Sequence, residues 1–203
     1  MLNRKNLLLI FTRNPILGKC KTRLAASIGD KNALDIYKFL LLHTQNITKD
    51  LNVDKWVCYS DYIGEDDIWN STHYTKKLQH GIDLGERMAN AFKDGFEEGY
   101  EKIIVIGSDM YDLDQKEINA AFNAFDTHDY VVGPALDGGY YLLGMKKLMP
   151  QLFKGKTWGT DTVLNNTLEH LRDEKFFLLS PKNDIDHYDD IKDIAVFKPF
   201  LKK

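Results

Sequence analysis

Short apolar runs alternate with amphipathic runs along the whole chain, and this alternation is the strongest constraint on the fold. The apolar runs are brief and rich in β-branched residues, as the buried strands of parallel sheets are. The amphipathic runs repeat their apolar residues with a helical period. Together they predict an α/β fold in which helices flank a mostly parallel sheet.

The predicted strands are, in chain order, Leu7 to Thr12, Lys55 to Ser60, Thr75 to Gln79, Lys102 to Gly107, Tyr130 to Gly133, Tyr140 to Met145 and Phe176 to Leu179. The predicted helices are Asp30 to Asp50, Leu84 to Tyr100, one that starts at Asp114 and Thr160 to Arg172, with a short one after a basic segment near residue 20. The length of 203 residues predicts one domain that covers residues 1–203.

The distribution of charge limits the classes of partner. Residues 1–29 contain six Lys or Arg and no Asp or Glu, whereas the rest of the chain has a net charge of −9. An acidic body argues against nonspecific nucleic-acid binding, and a confined basic pole suits a small anion. We therefore expect a small-molecule partner and no nucleic acid.

Cysteine usage and hydropathy indicate the compartment. Cys20 and Cys58 are too few for a disulfide framework and lack metal-ligand spacing, which favours a reducing compartment and oxygen ligands for any metal. The apolar stretch from Leu7 to Phe11 is too short for a signal sequence or a membrane span. We expect a cytoplasmic protein with no membrane partner.

The segment from Thr12 to Leu24 follows the first predicted strand and resembles a phosphate-binding loop, although it is not a Walker loop. Gly18 allows the backbone to approach an anion. Positive charges that can neutralise the anion come from Arg13, Lys19, Lys21 and Arg23. The alternative is a solvated basic loop without a ligand.

Asp109 closes the apolar run Lys102 to Gly107 and is therefore expected at the carboxyl end of a buried strand. Ligands of open α/β sheets bind at that edge. A carboxylate there can hold a divalent cation against the phosphates of a substrate. The alternative is a carboxylate that caps the amides of a turn.

Glycine-rich segments supply two more candidate sites. Gln79 precedes two glycines and a predicted helix, and its amide can bond the edge of a nucleobase. Asp137, Gly138 and Gly139 precede a predicted strand, where the glycines permit close approach of a ligand and Asp137 can bind sugar hydroxyls. The same three residues also suit the turn of a plain hairpin.

The last candidates lie in the final quarter of the chain. Trp158 can stack on a sugar or base, and Asp161 can act as a general base toward an incoming hydroxyl. Their structural alternatives are a core tryptophan and a helix cap at Thr160 or Asp161. Asp186 is the best candidate for a second metal ligand, in competition with a solvated acidic face.

These motifs, in this order, resemble the nucleotide-diphospho-sugar transferase superfamily, and more closely the DUF2064 family, also described as transferase 1 associated with radical-SAM and selenodomain proteins. The resemblance spans residues 7 to about 190. Its motifs are Gly18 with Lys21-Thr22-Arg23-Leu24, Asp83-Leu84-Gly85-Glu86-Arg87-Met88, Gly107-Ser108-Asp109, Asp137-Gly138-Gly139-Tyr140-Tyr141 and Trp158-Gly159-Thr160-Asp161.

The resemblance implies a single-domain, Rossmann-like GT-A fold and a Mg²⁺ or Mn²⁺ cofactor. It implies that Asp109 binds the metal, that the N-terminal loop holds phosphates, and that Gln79 and Gly85 lie near the base. Tyr111 departs from the family, which usually has proline there, so the backbone after Asp109 is expected to be less rigid and the acceptor side to differ.

The predicted activity is metal-dependent transfer of a glycosyl group from a nucleotide sugar to a small acceptor that is oriented near Asp137 and Asp161. An alternative is a nucleotidyltransferase of the phospholactate guanylyltransferase kind, in which a substrate phosphate attacks a nucleoside triphosphate. Lys19, Lys21 and Arg23 favour that alternative, because they resemble loops that clamp triphosphates. A further alternative, supported by Tyr111, is a nucleotide-binding module without catalysis.

Overall fold

The computed structural model describes residues 6–201 and contains the predicted alternation of strands and helices. The strands are β1 (Asn6–Thr12), β2 (Asp54–Tyr59), β3 (Thr75–Leu78), β4 (Lys102–Gly107), β5 (Tyr130–Pro134), β6 (Tyr140–Met145) and β7 (Phe176–Leu178). The helices are α1 (Thr22–Ile28), α2 (Asp30–Thr48), α3 (Leu84–Glu97), α4 (Gln115–Ala124) and α5 (Val163–Leu171). Short 3-10 helices cover Pro150–Phe153, Tyr188–Asp190 and Ala195–Leu201.

All seven predicted strands are present, with ends that differ by at most one residue. The helix ends differ more: α2 and α3 stop two and three residues before their predicted ends, and α5 begins at Val163 instead of Thr160. Residues 1–5, 202 and 203 lie outside the described residues, so the one-domain boundary of 1–203 stays a prediction.

The seven strands form one mixed sheet in the order β3-β2-β1-β4-β6-β5-β7. β1 pairs in parallel with β2 and β4, whereas β6 runs antiparallel to both β4 and β5. The carboxyl ends of β1, β2, β3 and β4 therefore meet the turn that enters β6 at one edge of the sheet. The predicted α/β fold, with a mostly parallel sheet flanked by helices, is therefore present.

Helices cover both faces of the sheet, which explains the continuous apolar strands. In β1, Leu8 and Ile10 pack into one core layer, and Leu7 and Leu9 pack into the other. Successive side chains of a strand point to opposite faces, so a strand buried on both faces has no polar alternation.

A third apolar cluster attaches the end of the chain to the helices near the sheet edge. Leu24 of α1 and Leu40 of α2 pack with Ile185, Ile191 and Phe197. Each of these five side chains is at most 2% exposed. The cluster therefore brings the C-terminal segment, residues 184–201, to the carboxyl edge of the sheet.

Aspartates cap the helices that face this edge. Asp83 accepts a hydrogen bond from the Glu86 N–H at 2.8 Å, and Asp114 accepts one from the Glu117 N–H at 2.8 Å. The cap at Asp114 confirms the predicted start of α4. Glu86 does not complete a capping box with Asp83, because its carboxylate accepts from the Ile82 N–H at 2.7 Å.

None of the helices within residues 6–201 combines the length and the apolar character that crossing a bilayer requires.

Close packing of α3 on the sheet depends on Gly95. A Cβ at this position would lie 2.7 Å from Cδ1 of Ile103 and 2.9 Å from Cδ2 of Leu7. We predict that Gly95→Leu lowers the free energy of unfolding by about 1–3 kcal/mol or more, because the buried interface has no space for the added atoms. Urea denaturation measures the change. Lys93→Leu, on the exposed face of the same helix, is the control and should change the value by less than about 0.5 kcal/mol; equal effects of the two variants would contradict this account.

Candidate active site

A buried hydrogen-bond network joins the ends of β1 and β4. The Tyr37 hydroxyl of α2 accepts from the Arg13 N–H at 2.9 Å and donates to the Arg13 carbonyl at 3.0 Å. The Ser108 hydroxyl donates to Thr12 Oγ1 at 3.1 Å, and Thr44 Oγ1 donates to the Ser108 carbonyl at 2.8 Å. The network therefore fixes the backbone on both sides of the point where Asp109 leaves the sheet.

The Lys21 ammonium lies between the two predicted metal-binding acids. Its Nζ is 2.6 Å from Oδ2 of Asp109 and 3.2 Å from Oδ1 of Asp186, and the Lys21 side chain is only 5% exposed. Arg23 Nη1 contacts the other oxygen of Asp186 at 3.2 Å. The structure therefore brings these four predicted site residues together, and their roles in binding a metal or a phosphate stay predictions.

Charge pairing sets the protonation of this cluster. Burial alone raises the pKa of Asp109, but the neighbouring Lys21 ammonium outweighs burial, and the pKa lies below its usual value. The two carboxylates likewise outweigh the effect of burial on Lys21 and raise its pKa. Lys21 and Asp109 are therefore both charged at neutral pH.

Lys21 also has an unusual backbone conformation. Its φ of 50° and ψ of 46° lie in the left-handed region, and no other non-glycine residue among residues 6–201 has a positive φ. Such a conformation is retained when the surrounding structure compensates its cost, and it is concentrated at functional sites. The conformation directs a lysine from the start of α1 into the acidic cluster.

Asp184 is a further acid of the site that the sequence reasoning missed. Burial, and then the negative charges of Asp137, Asp109 and Asp186, raise the pKa of Asp184 to about 7. The sequence did contain a signal for Asp184, because the apolar Ile185 stands between Asp184 and Asp186. In an extended segment, alternation places both acids on the side opposite the buried Ile185.

A polar cavity of about 530 Å³ lies beside Asp109. Four of the predicted ligand-binding residues line it, namely Arg13, Lys19, Gln79 and Asp109. Arg87, which was not among the predicted ligand-binding residues, also lines it. The Gln79 amide nitrogen donates to the Cys58 carbonyl at 2.7 Å, so one end of this side chain already binds the sheet edge.

A second cavity of about 240 Å³ adjoins the first and shares the side chains of Phe11 and Leu84 with it. The predicted residues Asp137, Gly139 and Trp158 line this second cavity. The Asp137 carboxylate accepts from the Gly139 N–H at 2.8 Å inside the turn between β5 and β6. Asp137 therefore stabilises a hairpin turn, as the structural alternative proposed, and also faces a cavity.

Seven predicted residues line neither cavity: Lys21, Arg23 and Asp186 belong to the ion-pair cluster, and Gly18, Gly85, Gly138 and Asp161 lie elsewhere. Two of the glycines serve close packing. A Cβ at Gly85 would overlap the Trp158 indole, and a Cβ at Gly138, where φ is 89°, would overlap the backbone of Asp161. The Asp161 side chain is exposed, and the N-cap position of α5 is Thr162 instead of Thr160 or Asp161, without a side-chain hydrogen bond. Gly18, with φ of 74°, lies in the loop next to Asp30.

The site does not form an all-protein metal cage. No group of three or more His, Cys, Asp or Glu side chains in the described part of the chain lies in an arrangement that could hold a metal ion. Mg²⁺ is commonly bound by only one or two carboxylates, with substrate phosphates and water as the other ligands. The pair Asp109 and Asp186 agrees with that second type of site.

Tyr111, the departure from the family pattern, belongs to an aromatic cluster. Its ring centroid lies 5.1 Å from that of Phe197, 6.1 Å from Phe39 and 5.3 Å from His43. The cluster holds the C-terminal segment beside the residues that follow Asp109. This packing gives a structural reason for a tyrosine at position 111.

The fold and the two adjoining cavities define a protein of the nucleotide-diphospho-sugar transferase and cytidylyltransferase class of folds. A protein from Desulfovibrio desulfuricans G20, provisionally named a nucleotide-diphospho-sugar transferase, superimposes with a TM-score of 0.83 and 30% sequence identity. The match covers 95% of this chain and 90% of that chain. The model of the family described as "Uncharacterized protein conserved in bacteria (DUF2064)" matches residues 43–160, and the chain belongs to this family.

More distant structures share the fold. The 4-diphosphocytidyl-2C-methyl-D-erythritol synthase of Anaerococcus prevotii DSM 20548 has a TM-score of 0.58 at 12% identity, over 94% of this chain and 96% of that one. Rv0371c of Mycobacterium tuberculosis H37Rv, whose structure is a complex with manganese, has a TM-score of 0.53 at 9% identity, over 98% of each chain. No curated protein matches the chain.

We predict that Tyr111→Ala loosens the C-terminal segment. Loss of the ring removes the contacts with Phe39 and Phe197, which should lower the free energy of unfolding by about 2–4 kcal/mol. Amide hydrogen exchange should accelerate most within residues 184–201. Tyr111→Phe preserves the ring and should behave like the wild type; unchanged exchange in the alanine variant would rule out this role.

A pH effect is expected from Lys156, which supports the loop that carries Trp158. Its Nζ lies 3.5 Å from the Val163 carbonyl and is hydrogen-bonded to the Thr167 hydroxyl. Burial lowers the pKa of Lys156 to about 8, from the ordinary lysine value of 10.5. Between about pH 8 and pH 10.5, Lys156 is mostly protonated in the unfolded chain and mostly neutral in the folded chain. Because the unfolded chain binds more protons there, Lys156 makes the free energy of unfolding rise with pH.

We predict that Lys156→Met removes this rise. The stability of the variant relative to the wild type should be highest below pH 8 and should decrease as the pH approaches 10.5, as followed by urea denaturation at each pH. The exposed Lys154→Met is the control and should leave the pH profile unchanged. A wild-type profile that Lys156→Met does not alter would show that Lys156 is well solvated.

Proposed function

We propose that the protein is a metal-dependent enzyme that binds a nucleotide-diphospho-sugar and transfers the glycosyl group to a small acceptor in the cytoplasm. The observation that carries the proposal is the pair of adjoining cavities at the carboxyl edge of the sheet. One is polar and contains three basic side chains among its lining residues, and the other is mostly apolar with two acids and no Lys or Arg. Two substrates of different chemistry can therefore meet beside Asp109.

The polar cavity supplies the donor site. Arg13, Lys19 and Arg87 line it and can neutralise a diphosphate. Each close contact between opposite charges is worth about 4 kcal/mol at an effective dielectric constant near 20, before the cost of desolvation. The buried Asn14 and the free amide oxygen of Gln79 offer hydrogen bonds to a nucleobase.

The acids beside Lys21 fit a divalent cation. Asp109 and Asp186 already hold one cationic group between them, and both supply the oxygen ligands that Mg²⁺ or Mn²⁺ prefers. A bound cation would supply charge neutralisation for the departing nucleoside diphosphate. The manganese complex of a structure with the same fold supports this choice of metal.

Asp137 is the first candidate for the residue that accepts the proton of the acceptor, because its side chain lines the second cavity. Its hydrogen bond to the Gly139 N–H holds the carboxylate in place. Asp161 is the second candidate. Its backbone packs on Gly138, so a shift of this loop would bring the exposed carboxylate toward the same cavity.

Nucleotidyl transfer is the second candidate function. The fold is shared with a diphosphocytidyl synthase, and the basic residues Lys19, Lys21 and Arg23 are compatible with a triphosphate. The products separate the two reactions, because glycosyl transfer from a nucleotide sugar releases a nucleoside diphosphate. Transfer of a nucleotidyl group from a triphosphate releases pyrophosphate instead.

The experiment titrates the protein with a panel of nucleotide sugars and nucleoside triphosphates, with Mn²⁺ or with a chelator, under calorimetric readout. Asp109→Asn should weaken metal-dependent nucleotide binding by about 100-fold or more, because it removes a charged metal ligand. The exposed Asp112→Asn is the matched control and should bind like the wild type.

Metal affinity unchanged in Asp109→Asn would refute the metal assignment. Absence of any metal-dependent binding across the panel would refute the proposed function itself. Circular dichroism and thermal unfolding of both variants exclude loss of the fold as the cause.

A further inference from the structure

The walls of the second cavity are apolar. Phe11, Leu84, Met88, Tyr140 and Val163 line it, and the ring of Trp158 lies among them. Tyr140 and Trp158 meet edge to face, with ring centroids 6.4 Å apart. Burial of a polar group against such walls costs free energy unless it is hydrogen-bonded, so most of a bound molecule must itself be apolar.

The two cavities differ in their acidic and basic side chains. No Lys or Arg is among the described residues that line the second cavity, where Asp137 and Asp184 are the only Asp, Glu, Lys or Arg side chains. The polar cavity, in contrast, presents Arg13, Lys19 and Arg87 together with Asp61, Asp83 and Asp109. A phosphate or carboxylate in the second cavity would therefore meet two acids and no compensating cation.

Polar groups that suit a hydroxyl are present in the same cavity. The carboxylate of Asp137 can accept its hydrogen bond, and Thr160 lies nearby on the lining. The indole Nε1 of Trp158 is buried without a hydrogen-bond partner, and no other side chain in residues 6–201 has such an atom.

We infer that the acceptor is an uncharged alcohol with an apolar body, held in the second cavity between Met88, Tyr140 and Trp158. This inference rests on the proposed function, because it names the acceptor of the same site. In the reaction the acceptor oxygen forms the new bond to the anomeric carbon. The bond from that carbon to the diphosphate oxygen breaks, the hydroxyl proton passes to Asp137, and the nucleoside diphosphate leaves with the bonding electron pair.

The inference also bears on the second candidate function. A nucleotidyltransferase of the kind considered above needs an acceptor that carries a phosphate, and the charges of this cavity oppose such a group. The structure thus assigns anion binding to the polar cavity and the binding of an apolar alcohol to its neighbour.

Ligand-observed NMR tests the inference with 2-phenylethanol, 2-phenylethyl phosphate and glucose, each alone with the protein in a chelating buffer. We expect binding of the alcohol, with affinity at least about tenfold above that of its phosphate ester or of glucose. Equal or tighter binding of the phosphate ester would overturn the inference. Preferential binding of glucose would do so too, because it would identify the cavity as the site of the donor sugar.

A matched pair of variants locates the bound alcohol. Thr160→Trp places a large ring at the cavity and should abolish the alcohol signal, whereas Thr157→Trp, on an exposed residue outside the lining, should preserve it. Persistence of the signal in Thr160→Trp would place the alcohol elsewhere and overturn the inference. If Thr160→Trp does not fold, the relative affinities of the wild type for the three probes still support or overturn the inference.

Metal-dependent nucleotide binding, measured on the same preparation, separates the two levels of proposal. Nucleotide binding without binding of the alcohol refutes only the identity of the acceptor. Binding of the alcohol without nucleotide binding supports the assignment of the cavity but refutes glycosyl transfer.

Discussion

The ion pairing of Lys21 with Asp109 and Asp186 is the interaction on which the rest of the site depends. It joins the start of α1, the end of β4 and the C-terminal segment, which are far apart in sequence. Because Lys21 is almost fully buried, removal of either carboxylate would leave its ammonium less well compensated and would destabilise this part of the fold. The same contacts keep two carboxylates together that would otherwise repel each other.

The basic N-terminal loop and two acids of the second half of the chain line different cavities. Arg13 and Lys19 line the polar cavity together with acids of other segments, whereas Asp137 and Asp184 line the apolar cavity without any Lys or Arg. Phe11 and Leu84 line both cavities and form the boundary between them. A single antiparallel strand makes this arrangement possible, because β6 starts at the edge where its parallel neighbours end and so brings the Asp137 turn to the site.

Much of the fold could be predicted from the sequence, because strands buried on two faces have a distinctive pattern and Asp109 ends such a strand. The start of α5 could not, since Thr160 and Asp161 both suit an N-cap, whereas the helix begins after Thr162, which makes no side-chain cap hydrogen bond. The Tyr37 network was also beyond prediction, because its partners lie 24 to 71 residues away along the chain. Residues 184–190 are rich in acids, so composition alone could not single out Asp184. Its proximity to Asp137 and Asp109 arises only in the folded chain.

The left-handed backbone at Lys21 places two demands on a single position. Glycine would adopt this conformation with least strain, but it would remove the ammonium that the two carboxylates require. Any other side chain without a positive charge would retain the strain and also lose the compensation. A design that raises thermal stability by relieving backbone strain would therefore select glycine at residue 21 and remove the buried ammonium. Residue 21 should be left unchanged in such a design.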